Sequence, residues 1–333
     1  MPAVARSLSE ESALLTELRA LVDRGRYREL LTQLEQLSPE TLERRTPFAL
    51  LAAEAHGRLG AHAEAERWAT LALTVARMRG ERHAELRARN YQGAIALERG
   101  AADAAEQHFA AALELARTLG DHTTEARCLN NLGIVANLRG DPRAALASYQ
   151  LALAAYQQAG LVRGMAETQH NIGISRGDMG DYAGALAAAE EAARLAERVK
   201  DEGLSALALF GRGALHLSQG DTDLAAAELT RAQAVYERLQ QPVGLAEVWR
   251  LQAGVARARG DLAGAVALLR KAAELARGQG SAHTLAEIER DLGAALEANG
   301  DRAGARAARL RAVTLYERLG AKQAAERIAA LLA

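Results

Sequence analysis

Asn130, Asn131 and Asn137 fall within NNLGIVANL, a stretch whose other residues are apolar. Asparagine is a poor helix former because its amide competes with the backbone for hydrogen bonds, so three of them here call for another reason. Each amide carries a donor and an acceptor, and a row of them can hold the backbone of an extended peptide without dictating its sequence. Reactive groups are sparser. The eight histidines are scattered, with no H-x-x-x-H pair and no cysteine at zinc spacing, so no metal is expected. Gly211-Arg212-Gly213 hints at a phosphate loop but lies inside a helical pattern, follows no strand and has His216 where a third glycine belongs, which favours small-residue packing. Cys128 and His170 could form a nucleophile pair; a helix-packing cysteine fits better. No acid/base pair stands out, so neither catalysis nor a cofactor is expected.

The elements that carry these residues are set by glycine. It stands at 60, 100, 140, 180, 220, 260 and 300, a spacing of forty, and Asp follows it at 141, 181, 221, 261 and 301. Gly-Asp reads as the end of one helix and the N-cap of the next, with Pro142 at the first helical position. A second breakpoint lies half a period away, at Gly80, Gly120, Gly160, Gly280 and Gly320, with Lys200-Asp201 and Gln240-Gln241-Pro242 in the two remaining places. Each unit is therefore two antiparallel helices. Alanine forms one column at 65, 105, 145, 185, 225, 265 and 305 and another seven residues on, from Ala72 to Ala312, on one face of the second helix. Ala53, Gly93, Gly133, Gly173, Gly213, Ala253 and Gly293 form the matching column on the first helix, where mid-helix glycine implies close packing.

With Gly133, Gly140-Asp141, Ala145, Tyr149 and Ala152 at these offsets, and with the offsets recurring over seven units, the sequence resembles the tetratricopeptide repeat family in its forty-residue form, as in bacterial regulatory and adaptor proteins. The resemblance covers 42–320. LVDRGRYRELLTQL looks like a divergent first repeat within 8–41, and 321–333 reads as a capping helix, with Ala325, Ile328 and Leu332 on one side. The fold expected is all-α: a single right-handed superhelical solenoid of about eight helix pairs over 1–333. Arg89 and Arg309 depart from the family pattern, at positions usually apolar.

The resemblance implies that first helices line the concave face through positions two, five, six, nine and twelve of each unit. In the fourth unit these are Arg127, Asn130, Asn131, Ile134 and Asn137, on the side of the helix opposite Leu129, Leu132 and Ala136. Neighbouring units add Arg87, Asn90 and Tyr91, then Glu167, His170, Asn171 and Ile174, and Arg250, Arg257 and Arg290 are expected to make the later groove basic. The alternative for Asn131 and Asn171, and to a lesser extent for Asn90, Asn130 and Asn137, is bonding between neighbouring helices; for the later arginines it is a solvated face. The family's lysine-and-asparagine carboxylate clamp is not reproduced, since Ile134 and Ile174 replace its polar ninth-position residue.

With 41 Lys+Arg against 42 Asp+Glu, nothing attracts the chain as a whole to nucleic acid or an anionic membrane. One cysteine allows no internal disulfide, and neither a signal-peptide core nor a membrane span is evident, so a soluble, cytoplasmic protein is expected. Two functions follow. The first is a non-catalytic scaffold that holds an extended or helical peptide segment of a partner, acidic where it meets Arg87 and Arg127. The second is a ligand-sensing regulatory module: a signal-peptide receptor, or the sensor arm of a bacterial transcription regulator.

Overall fold

The computed structural model describes residues 8–23, 26–279 and 281–332. Residues 1–7, at the start of the N-terminal stretch read against a secretion signal, Arg24 and Gly25 of the divergent first repeat, Gly280 and Ala333 lie outside them. Among the described residues the chain is all helix, in eighteen segments without a strand.

These segments group into two compact units. The first, within residues 1–99 and 103–124, contains α1 (Leu8–Asp23), α2 (Tyr27–Leu34), α3 (Pro39–Arg44), α4 (Thr46–Arg58), α5 (His62–Arg79), α6 (Arg82–Glu98) and nearly all of α7 (Ala102–Leu119). Its core joins Leu18, Leu30 and Leu34 to Phe48 and Leu51, so the divergent N-terminal helices share apolar packing with α4. The second unit, which takes in residues 125–332, holds most of α8 (His122–Leu138), then α9 (Pro142–Gln158), α10 (Val162–Asp178), α11 (Tyr182–Val199), α12 (Glu202–Gln219), α13 (Thr222–Arg238), α14 (Pro242–Ala258), α15 (Leu262–Gly278), α16 (Ala282–Ala298), α17 (Arg302–Arg318) and α18 (Lys322–Ala329).

The turn chemistry explains where helices stop. Gly140, Gly180, Gly220, Gly260 and Gly300 all have positive φ, the left-handed conformation that ends a helix at no steric cost to glycine. Asp141, Asp181, Asp261 and Asp301 then cap the next helix by accepting from the backbone N–H three residues on, at 2.8–3.0 Å. Asp221 makes no such cap. At the half-period breaks, Lys200 and Gln240 adopt φ 54° and 51°, so the left-handed turn is kept even where the sequence lacks glycine.

The small-residue columns are where helices meet. Every alanine in both second-helix columns is buried. Opposite them, a Cβ on Gly133 would stand 2.3 Å from the Tyr149 ring, one on Gly93 2.6 Å from Phe109, and one on Gly213 2.8 Å from Leu229. The glycine is a notch into which the bulky residue of the paired helix fits. Arg309 fills the same role against Gly293 with its aliphatic stem, while its guanidinium pairs with Glu297 and donates to the Leu331 carbonyl at 3.3 Å. That is how a charged residue occupies a position usually apolar. Arg89 is half-buried and bonds Glu85 within its own helix.

Candidate functional site

The first helices of the second unit, α8, α10, α12, α14 and α16, carry most of the candidate residues, and the structure divides these into two groups. Asn130 accepts from Thr168 Oγ1 and from Asn171 Nδ2, both at 3.1 Å. Asn137 donates to Ser175 Oγ at 2.9 Å and to the Tyr149 hydroxyl at 3.3 Å. These amides tie α8 to α10, one repeat further on, and satisfy polar groups in a close-packed seam. Bonding between neighbouring helices, the alternative reading for all five asparagines, is what Asn130, Asn137 and Asn171 do. Asn131 makes no hydrogen bond among the described residues, and neither does Arg127, which is exposed at the start of the same face. Ile174, one repeat on, is 46% exposed.

His170 packs its ring against Phe210, with centroids 6.1 Å apart, and lies over Gly211. Burial pushes its pKa down to about 4, so it is a neutral packing group at pH 7. Gly211-Arg212-Gly213 is thereby explained without a phosphate: Gly211 lies beneath His170, Gly213 beneath Leu229, and Arg212 pairs with Glu228 at 3.0 Å. Cys128 is buried. Glu167 pairs with Arg163 on its own helix at 3.1 Å.

The expectation of a basic later groove is corrected. Arg250 bonds Glu247 and Asp291, each at 3.0 Å, and lies 3.8 Å from Glu287. Arg290 contacts Glu287 at 2.7 Å and Asp291 at 2.8 Å, and the Tyr316 hydroxyl donates to Glu287. Burial alone would raise the Glu287 carboxyl, but Arg290 and Arg250 hold it below the usual range. Glu247, Glu287 and Asp291 thus neutralise Arg250 and Arg290. Arg257 has no carboxylate partner among the described residues. It stands at a cavity of about 130 Å³ whose wall includes Leu217, Leu251, Leu269, Gly254, Ala294 and Asp291. A space of that size admits a side chain rather than a lone water.

In the first unit, Arg87 and Asn90 lie on α6, both half-buried. Arg87 and Glu54 flank Tyr91, whose hydroxyl donates to Glu54; burial, then that carboxylate, push Tyr91 up to about 12.

The residues that sequence reading missed are Thr168, Ser175, Glu247, Glu287 and Asp291. Their signal is a register. First-helix partners recur 38 or 41 residues apart, as in Asn137 to Ser175, Asn130 to Asn171 and Arg250 to Asp291. Among the described residues, no three His, Cys, Asp or Glu side chains gather as a metal site, and no helix is long and apolar enough to cross a membrane.

Helix pairs repeating every forty residues, closed by glycine notches and joined through their first helices, define a helical-repeat protein. Residues 85–158 and 164–238 match the tetratricopeptide repeat model, so these segments are tetratricopeptide repeats and the resemblance read from the sequence holds. Among solved structures, a Rap protein complexed with competence and sporulation factor is similar at TM-score 0.65 and 17% identity, covering 97% of each chain. Aspartyl phosphate phosphatase F from Bacillus subtilis is similar at TM-score 0.55 and 15% identity over 98% of this chain and 94% of that one. The apo quorum sensor NprR from B. thuringiensis is similar at TM-score 0.55 and 14% identity, over 97% and 98%. At such identities the likeness is one of fold. No curated protein sequence matches the chain.

Proposed function

We propose that the chain is a non-catalytic, cytoplasmic interaction module, with 42–320 acting as seven repeats, 8–41 as a divergent first repeat and 321–333 as a cap. Its first-helix face in the second unit takes a peptide segment of a partner. The observation that carries this reading is the division of one helical face. Asn130, Asn137 and Asn171 are occupied in stacking, while Arg127 and Ile174 are exposed and the half-buried Asn131 makes no side-chain hydrogen bond among the described residues. An amide, a cation and an aliphatic side chain on neighbouring repeats suit a peptide backbone, a carboxylate and an apolar side chain respectively. The cavity beside Arg257 would seat a second anchoring side chain.

The experiment combines Arg127→Glu, Asn131→Ala and Ile174→Ala and measures affinity for a partner recovered by pull-down, together with thermal stability. Affinity should fall tenfold or more, about 1.4 kcal/mol, with stability within about 0.5 kcal/mol. Arg143→Glu, exposed on α9, serves as the control. Unchanged affinity would move the ligand off this face.

The second reading, a peptide-sensing regulatory module, is favoured by one observation. Rap complexed with competence and sporulation factor and the quorum sensor NprR share this fold over nearly the whole chain. A sensor changes shape when a short peptide binds and a scaffold holds its shape, so small-angle scattering with and without the peptide separates them.

A further inference from the structure

Units of a helical array touch chiefly their sequence neighbours, yet the second unit joins its first residues, 100–102, to its last repeat. A Cβ on Gly100 would stand 1.9 Å from the Arg318 carbonyl oxygen and 2.7 Å from Leu319 Cα, at the end of α17. One on Gly320 would stand 3.1 Å from Ala102 Cβ. The meeting at Gly100 is backbone against backbone, so no side-chain rotation would relieve it. Other turns are open: a Cβ on Gly180, Gly220, Gly260 or Gly300 would meet nothing within 4 Å. The residues that follow the two glycines fit the same contact. Ala102 stands in the column of Pro142, Tyr182, Thr222, Leu262 and Arg302, and Ala321 in that of Glu81, Asp121, Leu161, Asp201, Gln241 and Ser281. Each is the smallest of its column, and each is buried where those others are not.

We infer that residues 100–102 and 318–321 form a joint that closes the second unit on itself and thereby fixes the spacing of the first helices between them, α8 to α16. The contact is made by small residues in van der Waals touch, so a ligand that prefers one spacing of those helices shifts the joint with it. That a peptide is this ligand rests on the binding reading above. The joint itself does not.

The test needs no ligand. Gly100 and Gly120 both have positive φ, +79° and +66°, so alanine at either strains the backbone; only at Gly100 does its Cβ strike another repeat. In a Cys128→Ala background, spin labels at Arg143→Cys and Arg302→Cys, both exposed, report the span from α9 to α17 by pulsed electron paramagnetic resonance. Gly100→Ala should lengthen and broaden that distance, and Gly120→Ala should leave it unchanged. No change with Gly100→Ala, or an equal change with Gly120→Ala, would overturn the joint. A second measurement leaves Gly100 in place. Ala102→Cys with Gly320→Cys sets two Cβ atoms 3.1 Å apart, just short of the ~3.5–4.5 Å usual in a disulfide. Mild oxidation should link them within one chain, seen as a mobility shift that a reductant reverses. Ala102→Cys with Gly160→Cys, where φ is the same +68° and the surroundings are open, should stay reduced. Linkage in neither pair, or equally in both, would overturn the joint. If both measurements come out as expected and no peptide is then found to bind, the joint stands and the binding proposal fails.

Discussion

Asn130 and Asn131 are adjacent and chemically identical, yet they do different work. Asn130 accepts two hydrogen bonds from α10, whereas Asn131 makes none among the described residues. Asn137→Ala should therefore cost about 0.5–1.5 kcal/mol, because the buried Ser175 hydroxyl loses the amide while keeping its bond to the Asn171 carbonyl. Asn131→Ala should leave stability within about 0.5 kcal/mol and alter binding alone. Urea unfolding of the two variants side by side checks this. The sequence showed that amides cluster here but not which ones point outward, since residues one apart on a helix differ in direction by 100° and the neighbouring helix decides what each meets. His170 gives a second residue-scale prediction. Its folded pKa of about 4 lies below the unfolded value near 6.5, so the unfolded chain takes up the proton first as pH falls. Stability from this group is full above pH ~6.5 and is lost down to pH ~4, by up to roughly 3 kcal/mol. His170→Gln should remove that portion of the pH dependence, read as the difference between the two stability–pH curves.

At the scale of the element, the helix pair was legible because its causes are local and repeated. Glycine at the turn, aspartate at the cap and alanine in the columns are each dictated by sterics or a single hydrogen bond, and a period of forty displays them in register. The charge pairing was not legible to the same degree. Arg250 and Arg290 looked basic until α14 and α16 were placed side by side, which brought Glu247, Glu287 and Asp291 to them. Without the offset between first helices, a count of arginines on one face overstates its charge. The alanine columns yield the element's own test. Ala145 is fully buried against Ile172 and Ala188 of the next pair, whereas Ala147 is exposed. Ala145→Leu should destabilise by about 1–3 kcal/mol through overpacking, and Ala147→Leu should be close to neutral. Equal losses in thermal unfolding would contradict the packing assigned to the column.

For the molecule, the consequence of repetition is that stability is gathered between neighbours. Removing residues 181–220, one complete period within the second unit, should leave a chain that still unfolds cooperatively, with helicity per residue unchanged. Circular dichroism and a denaturant titration report both quantities. A collapse of helical signal would show that the unit depends on contacts between distant repeats, and the reach of Gln323 to Gly140 marks where such dependence would reside. The near-balance of 41 basic and 42 acidic residues has a counterpart in the later first helices, where carboxylates occupy the arginines. Any partner is then held by shape, amides and a few outward groups more than by bulk charge.

The central claim is that a peptide lies on the first-helix face of the second unit, and site-specific photocrosslinking tests it most directly. A photoreactive amino acid is placed at Ile174 in one chain and at Ala147 in another, both exposed, and the crosslinked peptide from the partner is sequenced by mass spectrometry. The account expects one defined segment of one partner to be captured from Ile174, to be competed by a synthetic copy of that segment, and to be missing from the Ala147 sample. Capture of that segment from Ala147 with none from Ile174 would contradict it.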